Sequence, residues 1–298
     1  MRIVSFLPAG TEMVHALGAG AQLVGRSHEC DYPPGVGALP VVSRPALDLA
    51  GASPGEIDRA VSGRMEAGDS MYAIDEVLLR DLRPDVILTQ NLCRVCAPSG
   101  NELSRAVREF EVRPQILFLT PANIAGIEDN VLATAAAIGR LAAGEALVEV
   151  TRERIARVRA AVAVARPRRV VFLEWTEPPF CGGHWVPEMV TLAGGHDPLG
   201  RPGEDSVRVS WDDVAAASPE CVLVSPCGYR LPEATDLARS LPVITGARVV
   251  AVDANAYFAR PGPRVAEGVE LLGHLFHPDL VPWPHAHRPW SEIAQQAR

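Results

Sequence analysis

The sequence predicts an α/β fold: two Rossmann-like lobes with parallel sheets, joined by one long rigid backbone helix, with a ligand cleft between the lobes. Three observations carry this. Short apolar strands alternate with helical segments in both halves, which implies parallel sheets. At 298 residues the chain exceeds the usual size of a single core. Between the halves runs a segment nearly free of Gly and Pro, residues 145–165, in which Leu147, Val150, Ile155, Val158 and Val162 form a helical apolar stripe. At 1.5 Å per residue such a helix spans about 30 Å, enough to cross a small domain. The division expected is an N-terminal lobe over 1–122, linking helices including the backbone helix over 123–166, a C-terminal lobe over 167–280 and a tail over 281–298.

Taken in order, the first half opens with a strand over 2–6 and a helix over 11–17, with Thr11 as N-cap and Gly18 as the stop. Residues 43–72, rich in Gly, Ser, Asp and Glu, read as a looser insertion. Leu82-Arg83-Pro84 ends a helix and starts the strand Asp85-Val86-Ile87-Leu88; a third strand covers 115–119. The second half repeats the plan. A strand over 169–173 is followed by a helix over 187–192, closed by Gly194-Gly195. Ser218-Pro219 then introduces the strand through Cys221-Val222-Leu223-Val224, and another strand covers 248–252. The tail, with Trp283, His285, His287 and Trp290, reads as a surface extension.

Composition removes several classes of function. All 28 basic residues are arginine, so Schiff-base lysine chemistry and a phosphate-loop lysine are excluded. The net charge of −8 argues against a nucleic-acid partner, which needs a basic face. No stretch reaches the length of a membrane span, so no membrane insertion is expected. The opening residues carry no export signal, which gives a cytoplasmic expectation for the sequence as it stands and a periplasmic or extracellular one for a longer form. There is no nucleophile-elbow serine, glycine-rich phosphate fingerprint or zincin helix, and no catalytic residue is assigned.

The chemistry collects in loops after strands. Cys30 lies in Ser27-His28-Glu29-Cys30-Asp31, Cys93 and Cys96 in Leu92-Cys93-Arg94-Val95-Cys96, Cys181 and His184 in Cys181-Gly182-Gly183-His184, and Cys227 in Cys227-Gly228-Tyr229. In an open parallel sheet, ligands bind at the carboxyl ends of the strands. His28, Cys30, Cys93, Cys96, Cys181, His184 and Cys227 are therefore candidate metal ligands, of a softness that suits zinc, iron, copper or an iron–sulfur cluster. His28 and Cys30 share a face if their strand extends that far. The alternative for each is an ordinary loop residue or a buried, inert thiol; Cys221, at the start of a strand, reads as core. Trp175, Phe180, Trp185, Tyr229, Tyr257 and Phe258 add flat apolar surface to the same edge, mostly from the second half, against core packing as the bland reading of any one of them. Arg260, in the turn Ala259-Arg260-Pro261-Gly262-Pro263-Arg264, offers a forked donor to a ligand oxygen or a salt bridge to the turn.

Arg2-Ile3-Val4-Ser5-Phe6-Leu7-Pro8-Ala9-Gly10-Thr11-Glu12, Leu82-Arg83-Pro84-Asp85-Val86-Ile87, Pro178-Pro179-Phe180, Val209-Ser210-Trp211-Asp212-Asp213-Val214 and the Ala259 to Arg264 turn occur in the order found in one family. Over residues 1–278 the chain resembles the helical-backbone metal-chelate receptors, the class III periplasmic substrate-binding proteins of ABC importers, and within them the vitamin B12-binding branch. The resemblance implies a cobalamin-like corrinoid or other metal chelate as ligand, with Pro8 joining the cysteines and aromatics that line its site. It also implies docking glutamates toward an ABC permease at Glu76 and Glu188, where an exported form exists; Thr191 competes with Glu188 for the second position. The cysteines depart from the family's aromatic grip on a corrin. That departure keeps open a second reading: a cytosolic metal- or iron–sulfur-binding protein, metallochaperone or metalloenzyme, on the same fold.

Overall fold

The strands are two to nine residues long, the central ones runs of β-branched and aliphatic residues, and Pro, Gly and Ser punctuate them. The computed structural model describes residues 1–67, 69–90, 103, 106–108 and 110–294. Two units emerge: Met1–Pro121 with Ala125–Glu149, and Ala122–Ile124 with Val150–Arg298.

The first unit is built on β1 (Ile3–Ser5), α1 (Pro8–Ala16), β2 (Leu23–Ser27), β3 (Val41–Pro45), α2 (Pro54–Glu66), β4 (Tyr72–Ile74), α3 (Glu76–Leu82), β5 (Val86–Thr89) and β6 (Gln115–Phe118). The sheet order is β4-β3-β2-β1-β5-β6, every neighbouring pair parallel except β3 with β4. Because side chains alternate along a strand, Ile3 and Leu88 enter one core with Met13, Val14, Leu17 and Val131, while Val4 and Ile87 enter another with Phe6, Val42 and Leu79. The chain leaves β1 toward β2 and β3 on one side and returns to β5 on the other. The switch point is thus at β1 and β5, where the carboxyl ends of a parallel sheet leave a crevice.

Two expectations for this unit are corrected. The helix after β1 starts at Pro8, because proline is pre-organised for the first helical position. Thr11 is therefore a buried residue inside the helix, and its hydroxyl donates to Cys30 Sγ at 3.0 Å instead of capping. Residues 43–72 are also more ordered than a loose insertion. They hold α2, with a reciprocal capping box between Ser53 and Glu56, and β4, which pairs antiparallel with β3.

Two linking helices follow, α4 (Ile124–Ala137) and α5 (Leu141–Val162). α5 is the expected long helix, 22 residues in length, and it begins earlier than the Gly-free run suggests. Gly144 lies inside it. A Cβ there would stand 2.5 Å from Ala135 Cβ, so the glycine lets α4 and α5 approach closely and is no breaker. The first nine residues of α5 belong to the first unit and the remainder to the second.

The second unit contains β7 (Arg168–Thr176), β8 (Pro179–Cys181), β9 (Gly183–His184), α6 (Val186–Leu192), β10 (Gly195–His196), β11 (Arg201–Pro202), α7 (Trp211–Ala216), β12 (Cys221–Val224), α8 (Leu231–Ser240), β13 (Arg248–Val252), α9 (Ala254–Tyr257), α10 (Val265–Phe276) and β14 (Trp290–Ile293). The main sheet runs β10-β7-β12-β13-β14, with β8 folded back antiparallel on β7. Val171, Leu173, Val222, Val224, Val249 and Ala251 fill the core under α7 and α8. In this unit α5 is held to α10 by Arg154. Its guanidinium takes both oxygens of Glu270, at 2.9 and 2.6 Å, and reaches Glu267 at 3.6 Å.

The tail is the third correction. Trp290 to Ile293 add β14 as an antiparallel edge strand to β13, and Asp253 N–H donates to Pro289 O. Expected as a surface extension, the tail contributes an integral strand to the sheet.

Candidate functional site

In the first unit, β1 delivers Pro8 to the carboxyl edge and β2 delivers His28 and Cys30. β2 ends at Ser27, so the shared face expected for His28 and Cys30 is not formed. His28 Nδ1 lies 3.1 Å from Ser43 O, Nε2 lies 3.1 Å from Glu29 Oε1, and the ring sits against Tyr72. Cys30 turns inward, 1% exposed, and accepts the Thr11 hydroxyl. The Arg26 guanidinium staples the loop, donating to Ser27 O, Cys30 O and Gly37 O at 3.0–3.2 Å. Cys93 and Cys96 follow β5 and lie outside the described residues.

In the second unit, the carboxyl edge is formed by the ends of β7, β12 and β13. Trp175 is half-buried with its ring 5.6 Å from Tyr229 in an edge-on pair, and its Nε1 donates to Glu177 O. Phe180 stands opposite Trp175 across the β7–β8 pair, with the Arg208 guanidinium 5.6 Å over its ring. Trp175, Phe180 and Tyr229 are each partly exposed. Cys227, also exposed, lies two residues from Tyr229, and its N–H donates to Glu174 O. α9 holds this loop: Asn255 N–H donates to Tyr229 O and Asn255 Nδ2 to Gly228 O.

The other expected contributors are buried. Trp185 donates through Nε1 to Phe258 O, Phe258 packs edge-on against Phe172 at 5.2 Å, and the Tyr257 hydroxyl lies 2.8 Å from His287 Nε2. Arg260 is buried and engaged. Cys181 closes β8, fully buried; burial pushes its thiol up, and the nearby Asp197 and Glu174 push the same way. His184 has φ +50° and its Nε2 lies 2.9 Å from Asp205 Oδ1. Cys221, read as core, is buried with its thiol pushed up to about 12 by desolvation.

Among the described residues, no group of three or more His, Cys, Asp or Glu is placed to hold a metal ion. Within the second unit, Cys181 is turned into the core and Cys227 outward, and His184 is taken by Asp205. The metal set receives no support there.

Of the two docking candidates, Glu76 is exposed in the first turn of α3, beside the exposed Val77. Glu188 is half-buried, and its Oε2 accepts the Ile124 N–H at 2.9 Å. Thr191 is the exposed residue of that helix.

Three residues at this edge escaped the sequence reading. Glu174 accepts the Gly183 N–H at 2.9 Å, Asp197 accepts N–H groups from Phe172, Leu199 and Gly200, and Arg208 covers Phe180. A glutamate inside the apolar run of β7 was the available signal for the first. The other two depend on pairing that no local pattern shows.

The chain thus folds as two α/β units, the second carrying this aromatic edge. Residues 3–243 match the family model described as periplasmic binding protein, and the chain belongs to that family. The vitamin B12-binding protein of Vibrio cholerae serotype O1 is 25% identical over 280 residues, covering 91% of this chain and 87% of the relative. A periplasmic heme-binding protein from Pseudomonas aeruginosa superposes with a TM-score of 0.72 at 19% identity, covering 100% of this chain and 99% of that one. The periplasmic vitamin B12-binding protein BtuF of Vibrio cholerae does so with a TM-score of 0.61 at 22% identity, covering 91% and 94%. No helix among the described residues is long and apolar enough to cross a membrane.

Proposed function

We propose that the protein binds a metal chelate with a flat macrocycle, a cobalamin-like corrinoid or a haem. The second unit would meet one face of that macrocycle with Trp175, Tyr229 and Phe180. The observation that supports this is the partly exposed Trp175–Tyr229 pair at the carboxyl edge of β7 and β12, where a parallel sheet places its ligands. Flat, partly exposed rings suit a macrocycle, because aromatic contact area comes with little loss of side-chain freedom. Relatives named for vitamin B12 and for haem support the class of ligand. Delivery to an ABC permease, with Glu76 as one docking carboxylate, belongs to the same reading.

The test is titration of purified protein with hydroxocobalamin and with haemin, followed by absorbance and tryptophan fluorescence. Trp175→Ala and Tyr229→Ala are each expected to weaken binding roughly tenfold or more, the loss of an aromatic anchor. Unchanged affinity in both variants would overturn the placement. The thiolate reading has no observation in its favour among the described residues; stoichiometric zinc, copper or iron after anaerobic purification, lost on Cys93→Ser and Cys96→Ser, would restore it. The cytoplasmic placement is also a proposal, checked by fractionating cells that express the whole gene product.

A further inference from the structure

We propose that the C-terminal tail is a strap that positions the ligand-facing loop Cys227-Gly228-Tyr229, acting through the His287–Tyr257 hydrogen bond. The inference rests on that loop belonging to the ligand surface.

Tyr257 ends α9, and that short helix has a contact at each end. At its near end, Asn255 holds the loop through two hydrogen bonds, to Tyr229 O at 3.3 Å and Gly228 O at 3.1 Å. At its far end, the Tyr257 hydroxyl lies 2.8 Å from His287 Nε2. One helical turn thus connects the tail to the loop.

The tail is anchored on both sides of His287. Trp283 Nε1 donates to His287 O at 2.6 Å, and the Trp283 ring packs edge-on against Tyr257 at 6.3 Å and against Trp290 at 5.9 Å. Beyond it, β14 pairs with β13 up to Val252, one residue before the N-cap of α9. The tail therefore fixes both the strand that leads into α9 and the residue that ends it. A sheet edge alone would need only the strand; the Pro-rich span 282–289 crossing back over Tyr257 does something further. Gly228 has φ +87°, a conformation open mainly to glycine, so the loop is a sharp turn whose tip follows its anchor.

Cys227 makes the idea testable without any ligand. It is the one exposed thiol among the described cysteines, and it sits in the loop itself. In a Cys93→Ser/Cys96→Ser background, its rate of reaction with an aromatic disulfide reagent reports the loop. Tyr257→Phe removes the hydroxyl and keeps the ring; His287→Ala removes the partner; His287→Gln restores an acceptor at similar reach. Tyr257→Phe and His287→Ala are each expected to change the Cys227 rate by roughly two- to tenfold, the weight of one hydrogen bond. They should be non-additive when combined, and His287→Gln should recover most of the native rate. The same variants should weaken binding of whichever probe, hydroxocobalamin or haemin, the native protein takes.

An unchanged Cys227 rate in both single variants would overturn the strap. So would a change shared by the buried Cys30, Cys181 and Cys221, which marks general loosening. If the native protein binds neither probe while the Cys227 rate responds as expected, the ligand assignment fails and the strap stands.

Discussion

Burial sets the chemistry of a thiol, and it differs among the described cysteines. Position after a strand made Cys30, Cys181 and Cys227 look alike, yet the structure gives them different surroundings. Cys30 accepts from Thr11 in the core, Cys181 is sealed under β8, and Cys227 faces out. A thiolate is the nucleophile, and burial in apolar surroundings suppresses it. In the Cys93→Ser/Cys96→Ser background, native protein at pH 8 is expected to alkylate at Cys227 while Cys30, Cys181 and Cys221 stay unmodified, as read by mass spectrometry of peptides. The raised thiols also carry a sign for stability. The unfolded chain ionises Cys221 from about pH 9, the folded chain only near 12, so stability present below pH 9 is lost as pH rises toward 12. Cys181 and Tyr229, both raised mainly by burial, act in the same direction. Thermal melts from pH 8 to 11 should show a falling midpoint. Gly183 gives a third prediction at this scale. A Cβ there falls on the backbone N of Ser206 and lies 2.9 Å from Glu204 O, atoms that cannot move aside. Gly183→Ala is expected to cost about 1–3 kcal/mol in denaturant unfolding, the usual penalty of overpacking.

At the scale of elements, Arg154 ties α5 to α10 in the second unit. Glu270 sits in a poorly solvated place, and its fork on Arg154 raises the guanidinium's pKa, chiefly by hydrogen bonding. Arg154→Ala leaves that carboxylate unpaired; discounted for the exposure that remains, the expected cost is about 1–3 kcal/mol by chemical denaturation. Most elements were legible in the sequence. Val86 to Leu88, Val222 to Val224 and Val249 to Val252 are apolar runs short enough to be buried strands, and punctuation by Pro84 and Pro219 marked their beginnings. The misreadings share a cause. Thr11 was read as a cap, the long helix was begun at residue 145 and the tail was read as a surface extension, each from local pattern, and tertiary contact decided otherwise. Thr11 met Cys30, Gly144 met Ala135, and Trp290 to Ile293 found β13. No local pattern announces which residue, nine, 19 or some forty positions away, will be the partner.

For the whole molecule, family membership and the two-unit α/β architecture were legible because ordered motifs span the chain, from Arg2 at β1 to the Arg260 turn. The candidate site was legible as an edge and not as a set of side chains. Periodicity shows that Trp175, Phe180 and Tyr229 come near the ends of strands. It does not show that they stay partly exposed while Trp185, Tyr257 and Phe258 are buried. That difference is made by the Trp185 to Phe258 O hydrogen bond and by the tail over Tyr257, both non-local. The contact proposed between the second unit's aromatic edge and a macrocyclic metal chelate is open to experiment. It is tested most directly by equilibrium titration of the purified native protein with hydroxocobalamin and, separately, haemin, followed by absorbance and tryptophan fluorescence. A saturable response to one of them, weakened in Trp175→Ala, is expected. No saturable response to either chelate would contradict it.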